Sequence, residues 1–248
     1  VIEGLIGVGK TSLCKILRKE WGADLVLEPS DVNPFLASFY EDPTRFAFPA
    51  QMFYLASRYA QQLRLKQTGL FTNLYVADYL FRKDQLFAEQ TLQGHELDLY
   101  YQFANLLSGS IPSPDFVLFL DAPTSVIMER IKGRAISAEQ TIQPEYLNDL
   151  RRRYYSLWES YDHAPVYVVE TTDWDYVGNM DERKRMLRLI QGFMDGKPVD
   201  EAPRQFRKLA TEQLQLVTAS GLRSARFAGN ASSAEVEAAV TPLLGIAC

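Results

Sequence analysis

The segment Gly4-Leu5-Ile6-Gly7-Val8-Gly9-Lys10-Thr11 fits the pattern G-x-x-x-x-G-K-[ST], and the reading of the whole chain starts from it. Val1 and Ile2 before it read as the end of a strand, while Ser12 to Glu20 after it carry Leu13, Ile16 and Leu17 at helical spacing. Strand, glycine turn and helix in that order predict a loop whose backbone N–H groups face an anion. The glycines permit the turn, and the helix start adds partial positive charge. Lys10 brings a mobile cation to the terminal phosphates, and the Thr11 hydroxyl is a ligand for Mg²⁺. Gly4, Gly7, Val8, Gly9, Lys10, Thr11 and Ser12 are therefore the candidate contacts of a nucleoside triphosphate.

Composition narrows the class of partner. With 248 residues and 47% hydrophobic content the chain suits one α/β domain with a sizeable core. A formal charge of −5 argues against a broad polyanion-binding face, so no nucleic-acid partner is expected, while a small anionic ligand in one basic pocket is compatible. Cys14 and Cys248 have neither metal-ligand nor disulfide spacing, which favours a reducing compartment, and Cys14 is expected to be packed in the first helix. No apolar run approaches the ~18 residues of a membrane span. The expected location is the cytoplasm, with a mitochondrial one left open because the sequence starts inside a strand without an initiator methionine.

Outward from the loop, apolar runs alternate with helical patterns. Strands are predicted near 1–4, 24–28, 73–78, 115–120 and 165–169, and long helices over 43–67, 83–108 and 144–162. The runs Phe116 to Leu120 and Val166 to Val169 are continuous rather than alternating, as in strands covered on both faces. The expected architecture is a three-layer α/β fold with a five-stranded parallel sheet flanked by helices. In such sheets ligands bind at the C-terminal strand ends. Glu28, Asp78 and Asp121 fall there, although Asp121-Ala122-Pro123 reads equally well as a cap for the next helix. Residues 181–194 read as a basic amphipathic helix, Gly196-Lys197-Pro198 as its break, and 203–218 as a further helix. The division expected is a domain over 1–196 and a C-terminal extension over 197–248, rich in Ala, Ser and Gly from Ala219.

Further features follow in a fixed order: Glu28-Pro29 after the second strand, Tyr40-Glu41-Asp42-Pro43, then Gln51 and Arg58 on one helix face, an acid at a strand end, and an arginine-bearing segment Arg130-Ile131-Lys132-Gly133-Arg134-Ala135-Ile136. In this order and spacing the chain resembles the deoxynucleoside kinase family over about residues 1–175. The resemblance implies ATP and Mg²⁺ as cofactors and a deoxynucleoside as acceptor. It implies that Glu28 is the general base toward the 5′-hydroxyl, that Tyr40 and Glu139 hold the 3′-hydroxyl, and that Gln51, Arg58 and Asp84 read the base. Arg130 and Arg134 are the implied lid arginines beside Lys10, Asp78 joins Thr11 at the metal, and Asp173-Trp174 forms the adenine side of the nucleotide site. An acid at 84 implies deoxyadenosine, deoxyguanosine or deoxycytidine rather than thymidine. The family also implies a homodimer.

Two positions depart from the family pattern. Asp78-Tyr79-Leu80 has tyrosine where relatives carry an arginine that reaches the reacting region, with Arg82 or Lys83 as possible compensation. Ile136 stands in place of a third lid arginine. These departures support an alternative, a family-derived accessory subunit of a larger assembly such as a respiratory complex I. The intact Gly9-Lys10-Thr11 and Glu28 favour the enzyme. Some residues have plain structural readings: Trp174 as a packing residue under the last helix, Tyr100-Tyr101 and Tyr154-Tyr155 as core or dimer-face aromatics, and His95 and His163 as surface or capping residues.

Overall fold

The computed structural model describes residues 1–28, 33–65, 74–109, 111–134, 139–140 and 142–196 and the backbone of 213–218 and 221–226; the side chains of Tyr40, Arg64 and the last two segments fall outside that description. The chain divides into two compact units, one built from Val1–Trp21 with Pro114–Cys248 and the other from Gly22–Ser113.

The first unit begins with strand β1 (Ile2–Gly4) and helix α1 (Lys10–Trp21). The second unit contributes β2 (Asp24–Val26), α2 (Leu36–Glu41), α3 (Pro43–Leu65), β3 (Tyr75–Ala77), α4 (Lys83–Thr91) and α5 (Gly94–Ser108). The first unit resumes with β4 (Val117–Asp121), α6 (Thr124–Arg134), α7 (Pro144–Ser160), β5 (Val166–Glu170), α8 (Met180–Met194), β6 (Gln213–Thr218) and β7 (Gly221–Arg226).

In the first unit the sheet order is β1-β4-β5-β6-β7. β1, β4, β5 and β6 are parallel neighbours, and β7 returns antiparallel to β6 with Thr218 opposite Gly221. Every residue of β4 is buried, which is why its sequence shows no alternation. Side-chain parity places a helix on each face. Phe119 packs on Tyr154, Tyr155 and Trp158 of α7. Tyr167, in register with Leu118 and hence on the opposite face, stacks on Phe193 of α8 at 3.9 Å between ring centroids. Three layers follow from that alternation. Cys14 is buried in α1 as expected.

In the second unit β2 and β3 form a parallel ladder of their own, with Leu25 opposite Val76. The helices carry the core: Ala47 and Leu55 of α3 meet Phe81, Ala88, Leu92, Tyr100 and Ala104.

Each predicted strand is present, but the expected five-stranded parallel sheet is not what they form: β1, β4 and β5 are joined by β6 and an antiparallel β7, and β2 pairs with β3. The helices α3 and α7 match their predicted ranges closely. Two helical expectations are corrected. The single helix predicted over 83–108 is interrupted: Leu92 and Gln93 are extended and Gly94 has φ +53°, so the chain turns there and starts α5 afresh. The helix expected over 203–218 is a strand from Gln213, where Gln-Leu-Gln-Leu alternates with period two; residues 203–212 lie outside the described residues. No helix among the described residues is long and apolar enough to cross a membrane.

Candidate active site

The glycine loop of the first unit is held in shape by close approaches that admit no side chain. Gly4, Gly7 and Gly9 have φ of +147°, +86° and +113°. A Cβ on Gly4 would lie 2.3 Å from the Leu120 carbonyl oxygen, on Gly7 2.6 Å from Ile131, and on Gly9 2.4 Å from the Tyr176 hydroxyl. The strand end, α6 and the segment before α8 therefore each demand one of the glycines. Lys10 Nζ donates to the carbonyls of Gly4 and Leu5 at 2.8 and 3.0 Å, and α1 starts at Lys10.

A cavity of about 610 Å³ opens on this loop, lined by Gly7 to Ser12 together with Arg130, Arg134, Thr172 and the segment Asp173 to Val177. Arg130 clamps its wall, donating to the Val8 carbonyl at 3.3 Å and to the Thr171 hydroxyl and carbonyl at 3.1 and 2.7 Å. Arg134 is exposed and pairs with Glu139. Trp174 is buried, with the Arg185 guanidinium 4.8 Å from its ring centroid. Its indole Nε1 is buried without a hydrogen-bond partner among the described residues. Burial pushes the Tyr176 hydroxyl up to about 12, so it stays a neutral donor to the Gly9 carbonyl. A helix start, a lysine and two arginines fit a polyphosphate, and an indole N–H needing an acceptor fits a ligand with a polar ring.

The second unit gathers a buried charge cluster. Arg58 of α3 is ion-paired both to Glu28, just past β2, and to Asp84 of α4. Lys83 Nζ lies 3.1 Å from the other oxygen of Glu28. The Glu28 backbone N–H donates to Asp78 Oδ1 at 2.8 Å, and Asp84 Oδ2 accepts from the Tyr100 hydroxyl at 2.7 Å. Burial alone would raise the Glu28 pKa; Lys83 and Arg58 outweigh it and hold the carboxyl well below its ordinary range. Gln51, also on α3, donates to Thr91 Oγ1 at 3.1 Å, and its Oε1 is buried. Tyr79 is fully buried, donates to Gln61 at 2.7 Å and lies beside Arg58; burial pushes it up to about 12.

The sequence-derived residues thus fall into two groups, each within one unit. The glycine-loop residues, Arg130, Arg134, Asp173 and Trp174 surround the cavity of the first, except Gly4, which supports the loop from β1. Glu28, Arg58, Asp78 and Asp84 are linked in the second, with Gln51 on the same helix as Arg58. Tyr40 lies on α2 with its side chain outside the described residues, and Ile136 lies outside the described residues altogether. Glu139 belongs to the first unit through its pair with Arg134. Asp121 is a structural residue: its carboxylate is fully buried between Arg151 Nε at 3.1 Å, the Tyr155 hydroxyl at 3.0 Å and the Ala122 N–H at 2.8 Å. Sequence reasoning did not find Thr171 or Tyr176. Nor did it find the buried Glu3, whose carboxylate accepts from Tyr154 at 2.8 Å and from the Gly4 N–H at 3.1 Å. Only a charged residue inside a predicted buried strand signalled Glu3.

A glycine loop feeding a helix at the edge of a parallel sheet, with cations around the adjoining cavity, defines a P-loop nucleotide-binding protein. The sequence profile of the family described as deoxynucleoside kinase matches residues 1–195, and the chain belongs to that family and is a kinase. It is 32% identical over 195 residues to the deoxyguanosine kinase of Bacillus subtilis (strain 168), covering 77% of this chain and 94% of that one. To the deoxyadenosine/deoxycytidine kinase of the same organism it is 27% identical, covering 76% and 89%. Among solved structures, deoxyadenosine kinase from M. mycoides with bound dATP superposes with a TM-score of 0.65 at 22% identity, covering 77% of this chain and 97% of that one, a likeness of fold.

Proposed function

We propose that the protein phosphorylates the 5′-hydroxyl of a deoxynucleoside carrying adenine, guanine or cytosine in preference to thymine, with ATP as donor and Mg²⁺ as the metal. The observation that carries this reading is the bridge from Glu28 through Arg58 to Asp84. It ties a carboxylate suited to receive a hydroxyl proton to an acceptor and a donor suited to a base edge. Thymine has no exocyclic amino group to donate to Asp84, whereas adenine, guanine and cytosine do. A buried site left with an unpaired polar group discriminates strongly, so thymidine is expected to be the poorest substrate.

In this reading Glu28 accepts the 5′-hydroxyl proton, Gln51, Arg58 and Asp84 read the base, and Tyr40 and Glu139 hold the 3′-hydroxyl. Lys10, Arg130 and Arg134 bind the phosphates, and Asp173 and Trp174 the adenine of the donor. Thr11 and Asp78 would hold Mg²⁺, whose chemistry is to neutralise phosphate charge. Relatives named as deoxyguanosine and deoxyadenosine kinases support the acceptor class. A homodimer, with residues 197–248 as an extension of the kinase domain over 1–196, belongs to the same reading. It is supported by Leu99, Phe103 and Leu106 lying exposed along α5.

The test is phosphoryl transfer from ATP to each of the four deoxynucleosides by the protein and by Glu28→Gln. Turnover of at least one non-thymidine substrate, falling by about 10²–10⁴-fold in the variant, is the expected result. A thymidine preference refutes the role of Asp84, and full activity of Glu28→Gln refutes the base.

A further inference from the structure

Lys83 is a cation in a place that costs it twice. It is only 4% exposed, although lysine is rarely buried without a partner. It is also the first residue of α4, where the helix dipole presents positive charge. Its backbone N–H is bonded to the Leu80 carbonyl at 3.0 Å, which fixes where the side chain starts. What offsets both costs is Glu28, 55 residues away in sequence, whose Oε2 accepts from Nζ at 3.1 Å. The Phe87 ring, one turn along α4, lies 5.4 Å from the ammonium.

The two cations on Glu28 divide its oxygens. Arg58 takes Oε1 and is shared with Asp84, whereas Lys83 takes Oε2. Asp78 holds the backbone of Glu28, not its carboxylate. Torsion of that carboxylate is therefore governed by one group that also reads the base and one that does not. We propose that Lys83 is a positioning residue of the acceptor site, fixing the Glu28 carboxylate in the orientation from which it receives the acceptor's hydroxyl proton. This rests on the reading of Glu28 as base. It also supplies, from α4, a cation beside the reacting carboxylate in a chain that has Tyr79 where an arginine was expected.

Among the described residues, the charged and titratable groups facing Glu28 are Lys83 from α4, Arg58 from α3, and Asp78 and Tyr79 from the segment after β3, with Asp84 acting through Arg58. Without Lys83 the Oε2 of this carboxylate loses its cation, and Arg58, which is shared with Asp84, holds only Oε1, so the orientation of the carboxylate is no longer fixed from both sides. The experiment compares Lys83→Met, Lys83→Arg and Glu28→Gln with the parent protein. It measures kcat and the KM for deoxyguanosine and for ATP, with thermal unfolding as the control for folding. The expected result for Lys83→Met is a fall in kcat of about tenfold or more with the KM for ATP unchanged. Lys83→Arg, which keeps a cation at this place, is expected to hold kcat within about tenfold of the parent. A folded Lys83→Met with unaltered kcat overturns the proposal. If that variant does not fold, Lys83→Arg decides alone, a loss beyond about tenfold overturning it. Full activity of Glu28→Gln instead removes the base reading itself, whereas an inactive Glu28→Gln beside a Lys83→Met of unaltered kcat removes only the role given to Lys83.

Discussion

Replacing Gly9 by alanine separates two costs that the structure superimposes at one atom. The new Cβ would sit 2.4 Å from the Tyr176 hydroxyl oxygen and 3.5 Å from the ring carbon that bears it. The backbone at φ +113° is also strained for any residue with a Cβ, by about 1–3 kcal/mol. The overlap adds about 1–3 kcal/mol of its own, because Tyr176 is buried and cannot swing into solvent. Deleting the hydroxyl with Tyr176→Phe removes the overlap and not the strain, since a carbon at 3.5 Å is an ordinary contact. The hydroxyl's own bond to the Gly9 carbonyl is long, 3.4 Å, so Tyr176→Phe alone should cost about 1 kcal/mol or less. Urea unfolding of the parent, both single variants and the double variant should therefore show Gly9→Ala down by about 2–6 kcal/mol. The double variant should be less destabilised than the sum of the singles by about 1–3 kcal/mol. Additivity within about 0.5 kcal/mol would refute the claim that Tyr176 is what demands a glycine here.

Two further outcomes follow from buried charge. Arg151→Met leaves the fully buried Asp121 without its guanidinium and should cost about 3–5 kcal/mol in urea unfolding; the double variant with Asp121→Asn should be less destabilised than Arg151→Met alone, and a loss below about 1 kcal/mol for that single variant contradicts the pairing. Because Lys83 and Arg58, outweighing burial, depress the Glu28 pKa in the folded state, its contribution to stability is full above the unfolded value of about 4.3 and is lost as pH falls below it. The parent should therefore lose stability more steeply than Glu28→Gln between about pH 5 and pH 3, and equal slopes in the two proteins count against the depressed carboxyl.

What the sequence disclosed is what local pattern encodes. Continuous apolar runs marked β4 and β5, and helical spacing after Lys10 marked α1, because burial on two faces and burial on one stripe leave different periods. The break between α4 and α5 was hidden since Leu92, which ends the first helix, is as apolar and as buried as the residues inside it. Only Gly94 signalled the turn, and a lone glycine within a helical pattern is weak punctuation. The strand at Gln213 was misread for the opposite reason. Six residues offer too few repeats to separate period two from a helical stripe, and although β7 follows at once, the parallel partner β5 that ties the strand into the sheet lies more than forty residues earlier.

The site shows a sharper limit. Glu28 and Asp121 share one local pattern, each an acid at the end of an apolar run, although Asp121-Ala122-Pro123 also reads as a helix cap, and folding separates them. Asp121 is fully buried, with Arg151, Tyr155 and its own following N–H around its oxygens, so a reactive role would break a bond the core needs. Glu28 keeps 24% of its side chain accessible while two cations hold it ionised, which joins a committed charge to a route for an incoming group. No local pattern carries that difference. It depends on Arg58 and Lys83 arriving 30 and 55 residues later on two helices, so an accessible acid is distinguished from a structural one by what folding leaves open around it and not by its place on a strand.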